Sequence, residues 1–212
     1  MITVIGSLKG GSGKSTLTFN LAVWLSMAGV KVQVHDADPQ ATLRDVADVR
    51  AEEGYAPGIE VRGLDGLGKA AGKANGTEVL VDVGTSDMDA VRQAISAADR
   101  IVVPVPPSQA DIWSTQRFLR FVTSMNGKGK GPDVLGFINR ADTHHAIRES
   151  DETAAALVAL PGIRFVKPRL AQRTVYRRSF SEGMAVFELE PRGKGAKEFT
   201  NLAAALYPEL LK

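Results

Sequence analysis

Residues Ile2 to Ile5 form a short apolar run that leads directly into Gly6-Ser7-Leu8-Lys9-Gly10-Gly11-Ser12-Gly13-Lys14-Ser15-Thr16, after which a helical pattern begins. A buried strand, a glycine loop and a helix in that order constrain the fold more than any other feature of the chain. Glycines let successive backbone N–H groups curl around a phosphate without Cβ clashes, and the following helix aims its positive dipole end at the same anion. From Gly6 the loop reads G-x-x-x-x-G-x-G-K-S. In such a loop Gly10, Gly11, Ser12 and Gly13 supply the cradle, Lys14 reaches the β- and γ-phosphates, and the Ser15 hydroxyl coordinates Mg²⁺. Thr16 is placed to donate to an α-phosphate oxygen. A glycine turn that merely caps a helix is the bland alternative, and the flanking strand and helix argue against it.

The rest of the chain continues the alternation. Apolar runs at Val30 to Val34, Ile59 to Val61, Val79 to Val83, Arg100 to Val105, Val134 to Ile138 and Ile163 to Val166 read as strands. Most are β-branched and apolar on both faces, as strands inside a parallel sheet must be. Between them, helical patterns cover Lys14 to Met27, Ala41 to Ala51, Met88 to Ala97, Ala110 to Ser124, Ser150 to Leu160 and Gly195 to Leu206. The expected fold is α/β: one doubly wound, mainly parallel sheet with helices on both faces. The Gly/Lys stretch Asn126 to Gly131 reads as a loop within a single domain spanning 1–212.

Composition excludes several classes. The 212 residues include no cysteine, so disulfide frameworks, thiolate metal sites and cysteine nucleophiles are out, and a reducing, cytoplasmic setting is expected. No run of about 18 apolar residues exists and the N-terminus lacks a signal-peptide pattern, so no spanning segment is expected. Gly195 to Leu206 leads into Tyr207-Pro208-Glu209-Leu210-Leu211-Lys212 with little basic charge, unlike a surface-binding helix, so no membrane anchor is expected. His144-His145 has no third ligand at metal spacing and reads as a solvated pair. His35 reads as packing or local hydrogen bonding, not acid–base catalysis, and Trp24 and Trp113 as core or interface.

Carboxylates stand where strands should end. Asp36 and Asp38, in His35-Asp36-Ala37-Asp38-Pro39-Gln40, face one way on an extended segment at the carboxyl end of a strand, where nucleotide sites lie in open α/β sheets. Val79-Leu80-Val81-Asp82 is an apolar strand ending in a carboxylate, whose task beside a phosphate loop is to hold a water of the Mg²⁺ shell.

Net charge is only +2, but its distribution is uneven. From Thr153 to Ser181 there is no acidic residue and there are six basic ones: Arg164, Lys167, Arg169, Arg173, Arg177 and Arg178. Arg169, Arg173 and Arg177 recur every four residues, so a helix there would carry them as one stripe with Arg178 beside it. Such a stripe attracts phosphate backbones without reading sequence. A solvated helix face, a nucleotide contact or an acidic partner are the other readings.

The run Lys9-Gly10-Gly11-Ser12-Gly13-Lys14-Ser15-Thr16 resembles the deviant Walker A motif, KGGxGK[ST], of the ParA/MinD family of ATPases, and the resemblance extends through Phe187-Glu188-Leu189. Short, ParF-like plasmid partition proteins are the similar class, because strand one starts at residue 2 with no preceding DNA-binding extension. The resemblance implies ATP and Mg²⁺ as cofactors and catalytic roles for Lys9, Lys14 and Asp38. Lys9 would reach across an ATP-sandwich homodimer to the partner's phosphates, and Asp38 would position the attacking water. Asp36 would support the magnesium shell, and Asn139 would hydrogen-bond adenine. Pro104-Val105-Pro106-Pro107-Ser108 and Asp111 look like the family's loop beside the nucleotide and dimer face. Val83-Gly84-Thr85 departs from the family's D-x-P-P. The implied function is an ATP-dependent DNA partition ATPase that binds nonspecific DNA on the nucleoid and is stimulated by a ParB-like or other cargo-adaptor protein. The alternative is an ATPase positioning a protein cargo such as a carboxysome or chemoreceptor cluster. Delivery of metal clusters is disfavoured, since no thiolate ligand exists.

Overall fold

A computed structural model describes residues 1–65, 67, 76–125, 131–143 and 149–211. Eight strands form one sheet: β1 (Ile2–Ile5), β2 (Lys31–Asp36), β3 (Val61–Arg62), β4 (Thr77–Asp82), β5 (Arg100–Val105), β6 (Asp133–Ala141), β7 (Arg164–Phe165) and β8 (Leu170–Ala171). Their order is β3-β2-β4-β1-β5-β6-β7, with β8 also on β6, and every pairing is parallel. The helices are α1 (Lys14–Met27), α2 (Thr42–Glu52), α3 (Met88–Ala97), α4 (Gln109–Met125), α5 (Glu149–Ala159), α6 (Thr174–Ser181), α7 (Val186–Leu189) and α8 (Lys194–Leu206).

The strands are apolar on both faces because both faces are covered. Ile5, Leu80 and Val102 point into a core with Leu17 and Phe19 of α1, Leu43 of α2 and Phe199 of α8. Their neighbours Val4, Val81 and Val103 point the other way, onto Ile95 of α3, Phe118 of α4 and Leu157 of α5. This is the doubly wound, two-layered arrangement expected of buried parallel strands. Register then brings three strand ends together, since Asp82 lies opposite Ile5 on one side and Asp36 on the other. The loop that follows Ile5 therefore emerges beside two carboxylates.

Local expectations and structure part in one region. The segment from Arg169 to Leu189 contains β8, α6 and α7, none of which the apolar pattern marks. These elements have two, eight and four residues, too short for periodicity to register and too short to stand without tertiary packing. The glycine/lysine stretch Asn126–Gly131 falls outside the described residues except for Gly131, and His144-His145 falls outside them entirely. Trp24 packs against the core, whereas Trp113 is 54% exposed. Among the described residues no helix is long and apolar enough to cross a membrane.

Candidate nucleotide site

The loop after β1 is built around a left-handed turn. Gly13 has φ 90° as it opens α1, a conformation costly for residues with a Cβ. A Cβ there would also stand 2.5 Å from Asn139 Nδ2. That amide belongs to the end of β6 and donates to the Ser12 carbonyl at 2.6 Å. Asn139, expected at the adenine, fixes the backbone of the cradle in this structure.

Lys14 is buried inside the loop, with Nζ 3.4 Å from both Ser7 Oγ and the Lys9 carbonyl. Both contacts are longer than a charge-assisted hydrogen bond prefers. Burial lowers its pKa, while Asp82 and Asp38 pull in the opposite direction. A cation held loosely in a glycine cradle is poised for an anion.

The acids are equally under-partnered. Asp36 Oδ1 accepts from the Asp38 N–H at 2.9 Å, but Asp36 Oδ2 and both oxygens of Asp82 are buried without hydrogen-bond partners. Burial pushes Asp82 up to about 7; the Ser15 hydroxyl near it opposes that rise, Asp36 adds to it, and Lys14 opposes it. Burial likewise raises Asp36. Buried polar atoms in native proteins are normally paired, so each orphan requires an explanation. Three orphaned carboxylate oxygens beside the Ser15 hydroxyl and Lys14 fit a hydrated divalent cation, with Ser15 as a direct ligand and Asp36 and Asp82 holding its waters.

Asp38 accepts from the Gln40 N–H at 3.0 Å and lies against Gly84, where a Cβ would come within 2.7 Å of the carboxyl group. The departure Val83-Gly84-Thr85 is therefore what lets the segment after β4 approach Asp38. His35, expected to serve packing or local hydrogen bonding, is buried, with Nδ1 2.6 Å from the Gly63 carbonyl and Nε2 without a hydrogen-bond partner.

Lys9 stands apart from Lys14. Its side chain is 47% exposed, and its ammonium pairs with Asp111 Oδ2 at 2.8 Å. Asp111 is buried at the start of α4 and also accepts from the Ser108 hydroxyl. Asp111 is thus the partner of Lys9, a pairing that a separation of 102 positions hid from the sequence.

The predicted arginine stripe is corrected. Arg169 precedes β8, and Arg173 is the residue before α6 in extended conformation. Only Arg177 and Arg178 share the helix. In an extended segment residues four apart stand about 13 Å from each other, against about 6 Å along a helix, so Arg169 and Arg173 do not continue the helical face of Arg177. Arg173 is half-buried and bidentate on Glu198. Arg169 pairs with Asp151, and Arg178 with Glu182 and Glu190, all at exposed positions. Among the described residues no ion pair involves Arg177. It lines a cleft of about 150 Å³ with Gly13, Thr16, Asn139, Arg140 and Tyr176, adjoining the phosphate loop.

A parallel sheet with a lysine-bearing glycine cradle and orphaned carboxylates at its strand ends defines a phosphate-loop nucleotide-binding protein. Residues 3–187 match the model of the CobQ/CobB/MinD/ParA nucleotide binding domain, and the chain belongs to that family. It is 28% identical over 93% of its length to the maintenance of carboxysome distribution protein A of Halothiobacillus neapolitanus, covering 91% of that protein. It is 26% identical to protein ParA of Rhizobium radiobacter, over 86% of this chain and 83% of that one. The septum site-determining protein MinD of Pyrococcus horikoshii, solved with Mg-ADP, superposes with a TM-score of 0.73 over 97% of this chain and 95% of the other at 20% identity.

Proposed function

We propose that this chain is an ATP- and Mg²⁺-dependent positioning ATPase that closes as a homodimer over nucleotide. The closed dimer binds nonspecific DNA on the nucleoid, and a ParB-like or other cargo-adaptor protein stimulates hydrolysis and release. Lys14 and the loop N–H groups hold the phosphates. Asp36, Asp82 and Ser15 hold the hydrated magnesium, which when bound neutralises charge on the β- and γ-phosphates. Asp38 orients the attacking water.

The observation that carries this reading is the position of Lys9. A second lysine at the rim of the loop, outside the cradle that Lys14 fills, has no task toward its own subunit's phosphates. Held on Asp111 and half-exposed, it is available to a second copy. The DNA face is narrower than the charge pattern suggests. Exposed ion pairs contribute about 0–1 kcal/mol, so Arg169 and Arg178 can exchange a carboxylate for a phosphate, while Arg177, lining the cleft beside the phosphate loop, is placed toward the nucleotide. Arg173, half-buried on Glu198, stays with the fold. A protein cargo is the second reading, favoured by the relative named for carboxysome distribution; the same switch serves either cargo.

DNA association measured with ATP across a salt series tests the proposal. Wild type is expected to bind with a steep salt dependence, because phosphate contacts release counterions. Lys9→Ala is expected to bind ATP within about threefold of wild type yet fail to dimerise or hold DNA. Arg169→Glu with Arg178→Glu, both exposed and outside the cleft beside the phosphate loop, is expected to dimerise normally, bind DNA far more weakly and show a shallower slope. Undiminished DNA binding in the arginine variant overturns the DNA face, and normal dimerisation of Lys9→Ala overturns the role of Lys9.

A further inference from the structure

Arg50 is among the largest fully buried side chains of the described residues, and no step proposed above uses it. It lies on α2, the helix that begins four residues after Asp38. Its guanidinium forms a fork onto Glu188 of α7, with both contacts at 2.8 Å, and Nη1 also donates to the Gly183 carbonyl at 2.9 Å. Nε donates to the Pro57 carbonyl at 2.7 Å. The guanidinium packs 5.9 Å from the ring centroids of Phe19, on α1, and Tyr55.

The same node gathers four further contacts. Phe180 at the end of α6 meets Phe19 edge to face at 5.7 Å. The Val186 N–H opening α7 donates to Asn20 Oδ1 of α1 at 2.8 Å, and the Ala185 N–H donates to Glu188 at 2.7 Å. Gly183, at φ 68°, brings its backbone so close to α2 that a Cβ would stand 2.7 Å from the Arg50 nitrogen. The α6–α7 corner is therefore tied to α1, which starts at Lys14, and to α2, which follows the Asp36–Asp38 segment.

We infer that Arg50 and Glu188 are positioning residues that couple the nucleotide loop and the Asp38 segment to α6. A buried ion pair seldom adds much net stability over an apolar replacement, so stability alone gives little reason for a charged residue at this junction. A fork with four donated hydrogen bonds allows one arrangement of α2 against the α6–α7 corner. Any displacement of the Asp38 segment by a bound nucleotide is then passed to α6, and with α6 go Arg177 and Arg178. The consequence for DNA rests on the function proposed above; the coupling itself does not.

Hydrogen exchange of residues 174–189 with ADP and with ATP, without DNA, tests the coupling. Wild type is expected to show at least about a fivefold difference between the two nucleotides, the lower end of ordinary coupling. The double variant Arg50→Met with Glu188→Leu removes both charges and leaves neither partner unpaired. It is expected to bind ATP within about threefold of wild type and to lose that difference. A purely structural role would shift exchange equally in both nucleotide states. Arg50→Lys keeps a cation opposite Glu188 but cannot also hold Gly183 and Pro57. It serves if the double variant does not fold, and is expected to reduce the difference at least about threefold. A full wild-type difference in either folded variant, or no difference in wild type, overturns the coupling. An intact difference in a protein that does not bind DNA leaves the coupling standing and removes the DNA reading.

Discussion

Glu78 and Asp82 stand four residues apart on β4, point to the same face of the sheet and are both almost fully buried. Their surroundings are opposite. Glu78 Oε1 accepts from the Thr3 hydroxyl at 2.6 Å and the Tyr207 hydroxyl at 2.9 Å, and Arg100 lies 3.4 Å away. Arg100 in turn donates to the Leu206 carbonyl at 2.7 Å and stacks 4.3 Å from the Tyr207 ring centroid. Asp82, at the other end of the strand, has no partner on either oxygen. One end of the sheet closes its charges on one another and pins the end of α8. The other leaves them open, and a fold tolerates that only where a ligand completes the set. Burial alone does not mark a site; buried carboxylates left unpartnered beside a cationic glycine loop do.

The largest effect is expected at the closed end. Glu78→Ala leaves Arg100 buried without its carboxylate, which costs about 3–5 kcal/mol. Denaturant unfolding is expected to register that loss, while nucleotide affinity of the folded fraction stays unchanged. A weakened nucleotide affinity there would join the two ends that this comparison separates.

At the open end the balance reverses. Lys14→Ala removes the cation aimed into the loop, and charge-assisted contacts contribute about 1.5–3 kcal/mol each. Nucleotide affinity in an equilibrium titration is expected to fall at least about a hundredfold, with little change in unfolding free energy. Unchanged affinity would sink the phosphate-loop assignment.

The sequence makes these two ends legible to different degrees. The cradle is local: Gly13, Lys14 and Ser15 are adjacent, and their spacing alone implies a phosphate. Asp36 and Asp82 were legible as strand-end carboxylates because buried parallel strands announce their own ends. What pairs with what was not legible. Asp111 lies 102 positions from Lys9, and Glu188 lies 138 from Arg50. Gly84 looked like a departure from a motif until Asp38 was seen against it. The arginine stripe failed for a related reason. Its four-residue spacing presumes a helix from Arg169 onward, and β8 with the extended Arg173 interrupts that helix before it starts.

Asp82→Asn tests the comparison most directly, through unfolding free energy measured without ligand across pH. In the folded protein Asp82 holds its proton up to about 7, whereas the unfolded chain releases it near 3.9. The folded state therefore binds more protons over that window, and Asp82 lowers stability as pH rises from about 4 to about 7. Replacement by Asn is expected to remove that decline and leave the protein at neutral pH as stable as wild type or more so, while Mg²⁺-dependent ATP binding weakens. Loss of several kcal/mol at neutral pH, as expected for Glu78→Ala, would contradict it and make Asp82 a structural residue.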